Sequence, residues 1–131
     1  EAIRNKWLKN IDDLLKTIKE WIKPLEDKQY ITVIPTEVTI TEELLGTYKA
    51  PAMTLAFFTG EKIHLVPKGL HVIAGKGRVD LKFGQREIMI VGQDEKPGWF
   101  FAEREGRGKP KTFEFNKDNF EQLLQDYLET A

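Results

Sequence analysis

The chain has no cysteine, no serine and only two histidines in 131 residues. Without cysteine there are no disulfides, thiolate metal sites, iron–sulfur clusters or thiol nucleophiles. Without serine there is no serine-hydrolase chemistry. Two histidines, His64 and His71, leave little material for a histidine-rich zinc site. Neither sign of charge dominates. Twenty Lys and Arg against 21 Asp and Glu give a net charge of -1, so no whole-molecule field draws the protein toward nucleic acid or an acidic membrane. No apolar run approaches bilayer-spanning length, about 20 residues. Glu1-Ala2-Ile3-Arg4-Asn5-Lys6 opens an amphipathic pattern rather than the apolar core of a signal peptide. The location expected from these absences is the cytoplasm, and the protein expected is a small bacterial one of uncharacterised role.

What is present suffices for one domain, residues 1–131, with 40% hydrophobic residues to form a core. Ile3, Trp7, Ile11, Leu14, Ile18, Trp21, Ile22 and Leu25 recur at three- and four-residue steps. They predict an amphipathic helix over 2–23, ended or bent by Pro24 near Lys23. At about 33 Å it would overhang the strands that follow.

From Tyr30 to Phe115 the apolar period drops to two. Tyr30–Ile34 and Glu37–Thr41 read as short strands separated by Pro35. Between Lys62 and Val91, short Gly- or Pro-bearing turns at 67–68, 75–76 and 84–85 predict tight hairpins around a strand Leu70–Ala74. That register aligns Leu65, Leu70, Leu81 and Ile88 in one row and Ile63, Val72, Val79 and Ile90 in the next. A closing helix over 117–130 follows from Phe120, Leu123, Leu124, Tyr127 and Leu128, with Asn116 as its N-cap. The expected fold is α+β: a twisted antiparallel meander of about seven or eight strands, an open or half barrel, with one helix at each end of the chain.

The opposite face of that register sets the candidate chemistry. His64, His71 and Asp80 would share a row with Met89, the residue set of a two-histidine, one-carboxylate metal site. The ordinary alternative is a polar row on a half-exposed sheet, with Asp80 bonded to His71. The loop from Arg104 to Lys111 carries four basic residues and one acid beside Trp99, Phe100 and Phe101. It could touch phosphates next to a stacking platform, or simply keep a hairpin tip solvated. Charge is polarised along the chain, with residues 60–111 at net +4 and residues 112–131 at net -4. Gly75-Lys76-Gly77-Arg78 lacks the spacing and following helix of a phosphate loop and reads as turn glycines.

Catalytic residue types are scarce, whereas aromatic and amphipathic surface is abundant. No stretch carries a family motif. The function expected is therefore a non-catalytic interaction module that binds a protein partner or forms a homodimer, with no cofactor and no membrane contact. Trp7, Trp21, Trp99, Arg104 and Arg107 are its candidate anchors. A small apolar ligand on the concave sheet face is the second reading. A metal-dependent enzyme at His64, His71 and Asp80 is the third. Nucleic acid is not the partner expected, since a dedicated binder is usually more basic.

Overall fold

The computed structural model describes residues 2–70 and 76–130. Helix α1 (Ala2–Asp27) leads into a seven-stranded sheet of β1 (Ile31–Glu42), β2 (Gly46–Phe57), β3 (Lys62–Gly69), β4 (Arg78–Phe83), β5 (Arg86–Gly92), β6 (Trp99–Glu103) and β7 (Lys111–Glu114). Helix α2 (Lys117–Thr130) closes the chain. Every strand pairs antiparallel with its sequence neighbour, in the order β1 to β7. This is the expected α+β meander with a helix at each end. No helix among the described residues is long and apolar enough to cross a membrane.

One face of the sheet holds the core. Leu55, Ile63, Leu65, Val79, Leu81, Ile88, Ile90 and Phe101 are sealed from solvent there. Both helices lie in the same apolar cluster, α1 through Trp7, Ile11, Leu14, Leu15, Ile18 and Ile22, and α2 through Phe120, Leu123 and Leu124. The two helices meet at Trp21, whose ring lies 4.8 Å from Phe115 and 5.7 Å from Phe120. The opposite face carries a small cluster of its own, Met89, Val91 and Ala102 under Phe100.

Three expectations are corrected. First, Pro24 does not end α1, which continues to Asp27. Its stop is a Schellman turn. Gln29 takes a φ of 65°, its N–H donates to the Glu26 carbonyl at 2.9 Å, and the Tyr30 N–H donates to the Leu25 carbonyl at 2.9 Å. Second, the two strands expected around Pro35 are one unbroken strand, paired with β2 from Ile31↔Phe57 to Glu42↔Gly46. β1 is an edge of the sheet, where a residue without an N–H is tolerated. Third, the chain does not turn at 67–68. β3 runs through Pro67, shifts register between Pro67 and Gly69, and pairs Leu65 directly with Leu81. The strand expected at Leu70–Ala74 therefore does not separate them. Residues 71–75, including His71 and Val72, lie outside the described residues. The pairs Leu81↔Ile88 and Val79↔Ile90 stand as expected from the turn at 84–85.

At the end of the molecule where α1 begins, the Trp7 indole N–H donates to the Tyr48 hydroxyl at 3.0 Å. That hydroxyl in turn donates to the Glu42 carboxylate. The other oxygen of Glu42 accepts the Leu70 N–H at 2.9 Å. Burial, followed by the Glu42 bond, pushes the Tyr48 hydroxyl well above its usual range, so it stays a neutral donor. This chain of bonds ties the β1–β2 hairpin to α1 and to the segment after β3.

Candidate functional site

Exposed apolar side chains include Leu44 in the β1–β2 turn and Ile3 at the start of α1, but at the opposite end of the molecule three of them, Tyr30, Phe58 and Leu128, border one cleft. The Schellman turn that stops α1 brings Tyr30 to the same cleft as Leu25, whose carbonyl accepts the Tyr30 N–H. The β2–β3 connection is a tight turn in which the Gly60 N–H donates to the Phe57 carbonyl at 2.9 Å. Phe57 ends its strand in the core, whereas Phe58 stands at the first corner of the turn and is 74% exposed. The Phe58 N–H donates to the Tyr30 carbonyl at 3.0 Å, and the two rings lie 5.7 Å apart. On α2, Leu128 is the outer flank of the apolar stripe and is 40% exposed, while Tyr30 is 47% exposed.

These side chains border two clefts. One, of about 270 Å³, lies between Leu25, Tyr30, Phe58 and Leu128. The other, of about 340 Å³, lies along α2 between Leu25, Leu124, Leu128 and Glu121. Both share Leu25 and Leu128, so they form one groove across the end of the helix pair. Larger clefts exist. One of about 1010 Å³ surrounds Arg86 and Arg78, but their guanidinium groups are already matched. Arg86 grips Glu103 at 2.7 and 2.9 Å, and Arg78 grips Asp80 at 2.6 and 3.0 Å. Another, of about 710 Å³, lies beside Lys96 and Phe100. Neither is bordered by a large apolar side chain that is exposed. Large apolar side chains held out in water as a cluster distinguish a contact surface from ordinary scattered exposure.

The residues singled out from sequence are dispersed. Trp7 is fully buried under the β1–β2 hairpin, 6.3 Å from Trp99, which also belongs to the core. Trp21 is the partly buried joint between the helices. Arg104 is exposed in the β6–β7 loop, where it donates to the Gly108 carbonyl at 3.2 Å, and Arg107 is exposed at the loop tip. Trp99 and Arg104 flank opposite ends of β6, so the structure does not bring them together. Phe100 lies on the outer face, and Phe101 is in the core.

His64 does not share a row with Asp80. It pairs with Lys82, whereas Asp80 lies between Val66 and Met89. The continuation of β3 through Pro67 is the reason. The His64 ring shares a 2.9 Å hydrogen bond with Thr54, and both Asp80 oxygens are held by Arg78. His71 lies outside the described residues, and among those residues no three histidine or carboxylate groups are placed to hold a metal ion. The sheet face on which the ligand reading places its site packs against side chains of α1 and α2.

Tyr30, Phe58 and Leu128 are not among the candidate anchors expected from the sequence. The one available signal was Phe58 followed by Thr59-Gly60, which puts a bulky ring at a turn rather than in a strand. The chain matches no protein-family model, no curated protein and no solved structure.

Proposed function

We propose that this protein is a non-catalytic interaction module that binds a protein through the groove lined by Leu25, Tyr30, Phe58 and Leu128. The observation that carries this reading is Phe58, an aromatic ring 74% exposed beside an apolar cleft of about 270 Å³. A ring at that position contributes little to folding, because it does not leave water when the chain folds. It becomes useful when a second surface buries it. Aromatic side chains with adjoining apolar pockets are the usual anchors of protein interfaces.

The test is a photo-crosslinking phenylalanine analogue at position 58, with a second analogue at Thr39, on the exposed part of β1, as control. Crosslinks to protein from position 58 are expected, absent from position 39 and abolished by Leu128→Asp. Their mass separates a second copy of this chain from a different protein. Crosslinking from both positions alike, or from neither, would overturn the proposal.

A further inference from the structure

The two clefts share a feature that bears on the chemistry of the partner. Every charged side chain lining them is a glutamate: Glu61 in one, Glu121 and Glu129 in the other. Glu61 accepts from the Thr59 hydroxyl and Glu129 from the Gln125 amide, both neutral donors. On α1, by contrast, the aspartates are matched by lysines, Asp13 with Lys9 at 2.8 Å, Asp12 with Lys16 at 3.0 Å and Asp27 with Lys23 at 2.5 Å. The rim of the groove lacks that matching among the described residues. The segment that supplies two of the three glutamates, residues 112–131, is net -4 although the whole chain is nearly neutral.

Resting on the interaction-module reading above, we infer that the groove takes a basic amphipathic helical segment of another protein. Its apolar side chains would enter the two clefts beside Leu25 and Leu128, and its Lys or Arg side chains would meet Glu61, Glu121 and Glu129. The argument is charge complementarity. Carboxylates around an apolar groove favour a cationic rim on the partner and disfavour an acidic one. Apolar anchors along a groove beside helices suit a helix with its stripe at three- and four-residue spacing. A second copy of this chain is a poorer match, because α1 presents alternating Lys and Asp on its polar face rather than a basic one.

The experiment uses two synthetic amphipathic helical peptides with leucine at identical positions, one carrying lysine and the other glutamate at the remaining positions. Binding to the whole chain is followed by amide chemical-shift mapping. The lysine peptide is expected to shift the amides of Leu25, Tyr30, Phe58 and Leu128. It is expected to bind about tenfold or more tightly than the glutamate peptide, a difference of about 1.4 kcal/mol. The preference should shrink with added salt and reverse in a Glu121→Lys, Glu129→Lys variant, whose exposed substitutions leave the core untouched. Equal binding of both peptides in the groove would overturn the charge inference while leaving the interaction module standing. Shifts confined to other surfaces, or none, would overturn the inference too. In that case the crosslinking at position 58 decides separately whether the groove is an interface at all.

Discussion

Gly77 shows how one residue's conformation can be set by a distant side chain. It has a φ of +96°, and a Cβ added there would come within 2.3 Å of the Trp7 ring. The sequence identifies Gly77 as a turn glycine through its neighbourhood, Gly75-Lys76-Gly77. It does not reveal that the indole of Trp7, seventy residues earlier in the chain, lies against it. The same contact explains why Trp7, a plausible interface anchor by composition, is sealed inside: its ring has a glycine-sized recess and a Tyr48 hydroxyl to receive it. Gly77→Ala is expected to destabilise the protein by roughly 2–4 kcal/mol, combining overpacking with an unfavourable positive φ. Urea unfolding would read this as a lower midpoint with unchanged slope. A midpoint equal to wild type would show that the Trp7 contact is not tight in solution.

The end of α1 shows competition between two stop signals on one element. Pro24 removes one hydrogen bond and disfavours helix at Lys23, and on sequence alone it is the stronger signal. In the folded chain Ile22 is buried and Leu25 packs against the core, so one more turn of helix is held by packing. The helix then stops at Gln29, a residue whose Cβ makes φ of 65° unfavourable by roughly 1 kcal/mol or more. Gln29→Gly is accordingly expected to stabilise the protein by about 0.5–1 kcal/mol. Gln29→Ala should give no such gain. Thermal unfolding of the two variants would check this; equal melting temperatures would argue against the left-handed stop. This extra turn is also what delivers Leu25 and Tyr30 to the groove, so the misleading proline hid the site along with the helix end. On β1, Pro35 misleads for a related reason. A proline breaks a strand only where its missing N–H is needed, and edge position is a property of the whole sheet.

The pH response belongs to the whole molecule, because the groups involved come from three elements. Arg86 on β5 grips Glu103 at the end of β6 and lies 3.9 Å from Asp126 on α2. The hydrogen bonds from Arg86, the principal cause, hold the Glu103 carboxyl below its ordinary 4.5. The folded state therefore binds that proton more weakly than the unfolded chain. The stabilisation from this pair is complete above pH 4.5 and is lost as pH falls from there through the folded value. Between about pH 6 and about pH 3, wild type is expected to lose more stability than Glu103→Gln, so the two urea midpoints converge in acid. A constant gap across that range would show that the carboxylate is not selectively stabilised in the fold. At the same scale, one sheet face is packed against both helices, and an apolar groove lies at one end of the molecule. That contrast leads from the general idea of an interaction module to a particular surface.

Local rules on the sequence were enough for the class of fold, the closing helix with its Asn116 cap, whose side-chain oxygen accepts the Asn119 N–H at 2.8 Å, and the register across the turn at 84–85. These depend on periodicity, capping and turn chemistry, which act over a few residues. Tertiary structure alone decided where the first helix stops, that Pro35 and Pro67 lie within strands, and that both helices share one face. It also decided which aromatics are sealed and which are held out. Burial is a property of what packs opposite a residue: for Trp7 the opposing surface comes from distant parts of the chain, whereas Phe58 and Leu128 are left exposed.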